Sequence, residues 1–207
     1  MLLAALSFAG HHEATENQII FTIKADVVEN HAAANRQIQA YSTAAPDYIE
    51  KYATVIRDKG EVLRKGTNNW TCMAMNSRPF PKNGWKDAHE AMPGCADSEG
   101  LKWMNLAMNS AKPELERDAY IWMLRGDVGE DNTKMDVLHK KDSTLEQWIE
   151  SGAHLTLMPK DPASVDKFHA DLRKGEPYVM MPDSDYVHLM IPLVGYYKYQ
   201  PNSAPTR

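Results

Sequence analysis

The chain reads as an α+β fold: a mainly antiparallel sheet, a few packed helices and one long disulfide-closed loop. Three observations carry that reading. Short apolar runs of strand length recur from residue 54 to residue 191, bounded by Gly, Pro, Asn and Asp. Helical periodicity shows in only three or four places and does not alternate regularly with the strands, which argues against a parallel β-α-β sheet. Both cysteines, Cys72 and Cys95, bracket a stretch rich in Pro, Asn, Gly and Lys that has little structure of its own.

Taken in order, residues 1–9 are apolar and end in Ser7-Phe8-Ala9, small residues where a signal peptidase reads, before the polar His11-His12-Glu13. We expect a remnant of an export signal, cut after Ala9. Residues 10–45 form an N-terminal helical segment: Ile19, Ile20, Ile23, Val27 and Val28 recur near helical spacing, followed by an Ala-rich run. A single α+β domain then spans 46–198, and 199–207 is expected to be a loose tail. A helix beginning at Pro46 would share a face among Tyr48, Ile49 and Tyr52. Residues 54–56 and 61–63 flank Asp58-Lys59-Gly60 as a hairpin. A third strand covers 69–75, and 76–96 is the irregular loop.

Asp97 is placed to cap a helix carrying Leu101, Trp103, Met104, Ala107 and Met108. Residues 119–124 (AYIWML) form a buried strand and 125–142 a long polar loop, a length that is usually functional or disordered. Residues 153–158 (AHLTLM) are a strand. Asp161-Pro162 should cap a helix with Val165, Phe168, His169 and Leu172 at i, i+3, i+4 and i+7, ended by Gly175. Strands at 178–181 and 186–191 flank the turn-forming Pro182-Asp183-Ser184-Asp185.

Composition narrows the partners. The 207 residues carry a formal charge of -5, and the basic residues are scattered, so no nucleic-acid partner is expected. No window has the length and apolarity of a transmembrane segment. In an oxidising compartment Cys72 and Cys95 should pair; a loop of that size is worth about 3 kcal/mol in the chain-entropy treatment. A copper site using these cysteines with Met73, Met75 and Met92 is disfavoured by the absence of C-x-x-C or a repeated Met-x-x-Met.

Nucleotide-binding glycine loops, the serine-hydrolase elbow and the H-E-x-x-H zinc signature are absent. What remains is a pair of strand histidines, His154 and His188, in the similar contexts Ala-His-Leu and Val-His-Leu. With a period of two, His154 shares a face with Thr156 and Met158, and His188 with Tyr186 and Met190. If the strands pair, two imidazoles on a rigid sheet make a start for a divalent metal site or an acid–base pair. Asp127, Asp131 and Asn132, in the loop leaving a buried strand, could reach toward them. That loop does not fit the EF-hand spacing, because Gly129 and Asn132 occupy ligand and glycine positions. Trp70 and Trp85 flank the disulfide loop and either wall a ligand or pack on the disulfide.

Several blocks occur together: Gly66-Thr67-Asn68-Asn69-Trp70-Thr71-Cys72, Cys95-Ala96-Asp97, Tyr120 to Gly126 leading into Asp131-Asn132-Thr133, and Ser151-Gly152-Ala153-His154 with His188-Leu189-Met190. They resemble a family of uncharacterised secreted bacterial proteins, over roughly residues 46–192. Ala153 stands where relatives are expected to carry Pro, and Met73-Ala74-Met75 where they carry Met-Pro-Asp. The resemblance implies a periplasmic or secreted location and no activity.

The leading expectation is an exported domain binding a small ligand or metal over one sheet face, lined by His154, His188, Tyr186, Thr156 and the 127–133 loop. A hydrolase or lyase using His154 and His188 as acid and base, oriented by Asp127 or Asp131, is the first alternative. A structural envelope protein docked through its N-terminal helix is the second.

Overall fold

A computed structural model describes residues 34–57 and 60–205. The residues expected to form an export signal, the 19–28 apolar stripe and the hairpin residues Asp58 and Lys59 lie outside the described residues.

The first helix, α1 (Ala34–Ser42), leads into α2 (Asp47–Glu50). An eight-stranded sheet follows, built from β1 (Thr54–Ile56), β2 (Val62–Arg64), β3 (Thr71–Ala74), β4 (Pro93–Ala96), β5 (Ala119–Met123), β8 (His154–Met158), β9 (Tyr178–Met180) and β10 (His188–Pro192). Its order is β2-β1-β3-β4-β5-β8-β10-β9. Every neighbouring pair is antiparallel except β1 with β3, which is parallel. A separate two-stranded ribbon pairs β6 (Glu130–Asp131) with β7 (Trp148–Ile149). The third helix, α3 (Ser98–Met108), sits between β4 and β5 in the chain. The α+β class and the mainly antiparallel sheet expected from sequence are the ones found.

The period-two alternation sorts the sheet into two faces. One carries Cys72, Cys95, Trp122, Leu155, Leu157, Leu189 and Val179; the other carries Ala96, Ile121, Met123, His154, Thr156, Met158, His188, Met190 and Met180. On the first face α1 buries Ala40 and Tyr41 against Val55, Cys72 and Cys95, with Ala44 and Ala45 following. The folded body therefore extends N-terminally of Pro46, because the Ala-rich stretch supplies small residues that let a helix sit close on the sheet. On the second face Leu101, Trp103 and Met104 of α3 pack against Ala96, Ile121, Met123 and Met158. Asp97 caps α3 as expected, its carboxylate accepting from Gly100 N at 2.7 Å.

Five regions differ from expectation. Tyr48 and Tyr52 are exposed and only Ile49 of that turn is buried. The loop predicted for 76–96 ends in β4, whose Pro-Gly-Cys-Ala has no strand pattern but is held by pairing on both sides. The long polar loop contains β6, paired back to β7. The helix predicted after Pro162 stops as one 3-10 turn, Pro162–Val165, although Asp161 does cap it. Beyond Phe168 the His169 carbonyl accepts from Val179 N and its ring accepts from Asp171 N, so local and sheet-edge bonds displace the helical ladder. The tail expected to be loose is tied down: Gln200 accepts from Glu150 N and donates to Trp148 O, and the Tyr199 ring stacks on His89 at 3.7 Å.

Cys72 and Cys95 are directly opposite on β3 and β4 and form a disulfide.

Candidate functional site

His154 and His188 lie on neighbouring strands and on the same sheet face, as the period-two reading implies. The register separates them. Leu189 stands opposite Leu157, Met190 opposite Thr156 and Pro192 opposite His154. His188 is therefore level with Met158, four residues along from His154, a distance of roughly 13 Å on a strand. The Thr156–Met190 pair lies between them, joined by a contact from Thr156 Oγ1 to Met190 Sδ at 3.7 Å.

Each histidine is fixed the same way. His154 Nδ1 is 2.7 Å from Gly152 O, and His188 Nδ1 is 2.9 Å from Tyr186 O. A carbonyl can only accept, so in both rings Nδ1 carries the hydrogen and Nε2 is the lone-pair nitrogen. Burial drives the pKa of each down to about 4, against a smaller upward pull from the hydrogen bond to the backbone carbonyl. Both rings are neutral at pH 7, and repulsion from His154 lowers His188 further.

Their surroundings differ. His154 is the end of a buried polar chain. Ser151 Oγ donates to the Asp127 carboxylate and lies 3.3 Å from His154 Nδ1. The other Asp127 oxygen accepts from Gly129 N at 3.0 Å and Ser151 N at 3.2 Å. The Tyr196 ring stands edge-on to His154 with centroids 6.1 Å apart, and the Tyr196 and Tyr178 hydroxyls are 2.5 Å apart. Burial raises the carboxyl pKa of Asp127 and of neighbouring Glu130, which repel one another. Two glycines allow the close approach. Gly126 has φ +68°, and a Cβ there would meet Ser151 O at 2.1 Å; a Cβ on Gly152 would meet Gly195 O at 2.1 Å. Gly152 N donates to Tyr196 O at 2.6 Å.

Ser151, His154 and Asp127 are 0%, 1% and 2% exposed. The serine proton points at Asp127 and the histidine Nδ1 proton at a carbonyl, which is the reverse of what an activated nucleophile needs. In this arrangement the chain locks three segments together: the loop after β5, the turn before β8 and the C-terminal segment. Ser151 appears in the sequence reading only within the Ser151-Gly152-Ala153-His154 block and not as a site residue.

His188 is half-buried beside α3. The Trp103 ring is edge-on to it at 5.5 Å and edge-on to Tyr186 at 6.4 Å, with Tyr186 also half-buried. No hydrogen bond engages His188 Nε2 among the described residues. Trp103, on the apolar face of the helix predicted after Asp97, is the residue that walls this patch.

The other expected site residues are placed elsewhere. Asp131 closes its own turn, accepting from Thr133 N at 2.8 Å and from Ser143 Oγ at 2.5 Å. Asn132 is buried and ties its loop to Ala170 O and Val179 O, while its Oδ1 has no partner among the described residues. Trp70 and Trp85 pack around the disulfide on the opposite sheet face and do not join the histidines. Among the described residues no group of three or more His, Cys, Asp or Glu side chains is arranged to hold a metal ion. Within the same limit, no helix is long and apolar enough to cross a membrane.

No protein-family model, no curated protein and no solved structure matches this chain.

Proposed function

We propose that this is an exported binding domain whose ligand is taken on the second sheet face, at His188. One observation carries the reading. A neutral imidazole is fixed by its Nδ1 hydrogen bond to Tyr186 O, has no hydrogen bond at Nε2 among the described residues, and stands at a half-buried position beside the Trp103 ring, which also meets Tyr186 edge-on. An apolar wall with one fixed polar acceptor is the ordinary make-up of a small-ligand site. The Asp127–Ser151–His154 chain supports the same choice from the other side, since it is consumed in holding the fold. Export is supported by the Cys72–Cys95 disulfide, a bond that persists in oxidising compartments, and fits the resemblance to secreted proteins.

The test is long-range nitrogen NMR on the histidine rings, titrating phenol, indole, Zn(II) and Cu(I) separately. At least one should move the His188 Nε2 resonance while leaving His154 in place, and His188→Gln should abolish that response. If no member of the panel moves His188 Nε2, or if His154 responds instead, this reading is wrong.

A further inference from the structure

The strand register surrounds His188 with sulfur. Met180 on β9 is its direct cross-strand partner. On the other side, the pairing of Leu189 with Leu157 continues one step to set Met158 of β8 level with His188. Ala119, Met158, His188 and Met180 thus form one row across four neighbouring strands, β5, β8, β10 and β9, all facing the α3 side. Adjacent members of such a row have Cβ atoms roughly 5 Å apart. A methionine side chain has three flexible bonds and can span that distance, so the row puts each thioether within reach of the central imidazole. Met158 and Met180 are 0% and 1% exposed, so both sulfurs sit in a dry environment. Trp103 and Met104 come down on the same region from α3.

We propose that His188 Nε2, Met158 Sδ and Met180 Sδ form a three-coordinate site for Cu(I). This rests on the reading above that His188 is the ligand-taking residue, and it names the ligand. Thioethers with one imidazole select a soft monovalent ion; divalent Mg, Ca or Mn prefer oxygen donors, which this row lacks. A metal-binding histidine ordinarily donates its other ring N–H to a backbone carbonyl or a carboxylate, and His188 already does so to Tyr186 O. The set is distinct from Cys72, Cys95, Met73, Met75 and Met92, whose cysteines are closed in the disulfide. The Trp103 ring stands edge-on beside His188 with centroids 5.5 Å apart, close enough for its emission to report an ion bound at that imidazole.

The experiment is anaerobic titration of the full chain with Cu(I) in competition with bicinchoninate, following chelator absorbance and tryptophan emission together. Wild type should withdraw one ion per chain and quench Trp103. Met158→Leu and Met180→Leu keep volume and remove only sulfur, so they should fold, and each should weaken Cu(I) at least about tenfold, as His188→Gln should. Trp103→Phe should keep the ion and lose the quench. The inference is overturned if wild type takes no Cu(I) from bicinchoninate, or if the two leucine variants bind as tightly as wild type. An organic probe that still moves His188 Nε2 would then leave the binding-domain reading standing; silence from every probe would remove both.

Discussion

His154 and His188 are a controlled comparison made by the fold itself. Both sit on strands of one sheet, face the same side and give the Nδ1 hydrogen to the carbonyl two residues earlier. Both are held neutral by burial. They part company in what stands around them. Around His154 are a serine, a carboxylate, a tyrosine and two glycines without room for side chains. Around His188 are an indole, a phenol and, in the same row, two thioethers. An identical local frame therefore has two surroundings: at His154 the ring's neighbours are polar and interlocked, and at His188 they are softer and partly open, with no hydrogen bond to Nε2 among the described residues.

The comparison breaks most visibly at Gly152. A Cβ there meets the Gly195 carbonyl oxygen at 2.1 Å and the Tyr196 carbonyl oxygen at 2.7 Å, both backbone atoms that cannot swing aside. Gly152→Ala should cost about 3 kcal/mol, the upper range for overpacking a tight interior. Urea denaturation should show the midpoint falling sharply. No substitution around His188 should approach it.

The next largest effect is the acid limb of stability. His154 titrates near 6.5 when unfolded and at about 4 when folded, because burial penalises its charged form. Below 6.5 the unfolded chain takes up the proton first, so stability falls as pH drops from 6.5 to 4, by up to about 3 kcal/mol at this shift. Asp127 and Glu130 act in the opposite direction: burial raises both, so the folded state gains protons as pH falls. The His154 part is isolated as the difference between wild type and His154→Gln in thermal melts from pH 7 to pH 4. That difference should change steadily across the window; a constant difference would show that His154 does not titrate between the two states.

Ser151→Ala tests the same lock more gently. It removes the donor to one Asp127 oxygen and leaves the backbone donors on the other. Leaving a buried carboxylate oxygen unmet should cost about 1–3 kcal/mol. Amide exchange should rise in 193–203 as well as in the 126–133 loop, because Gly152 and Tyr196 couple the two. Exchange rising at only one of them would mean that the three segments are not locked together.

How much of this was legible in the sequence follows from the range of the interactions involved. The Asp97 cap, the β5 and β8 strands and the face of each histidine depend on neighbours within a few residues, and periodicity reads them. The β4 strand does not: Pro-Gly-Cys-Ala becomes a strand only because β3 and β5 pair with it. The predicted helix at 162–174 met the period rule, but its extension was overridden by a bond between His169 and Val179, ten residues away in the chain. At the site, the two histidines share a face but not a position, since a four-residue offset is a property of register. Ser151 carried one faint signal, three residues before His154 in a Ser-Gly turn. Met158 and Met180 carried none, because only the strand order β8-β10-β9 puts them on either side of His188.

The smallest expected effect sharpens the comparison most. Met158→Leu and Met180→Leu conserve volume in an apolar environment, so each should cost less than about 1.5 kcal/mol. In the His154 region every atom that differs from its neighbours in kind is also needed for shape, and chemistry cannot be removed without loosening the fold. In the row through His188 a leucine methyl is expected to fill the space of each sulfur. If that holds, stability does not account for a polarizable thioether at two interior positions flanking the His188 imidazole. Differential scanning calorimetry of the two variants decides the matter: near-wild-type melting would leave ligand binding as the reason for the sulfur, and a loss of several kilocalories would make the row another part of the framework.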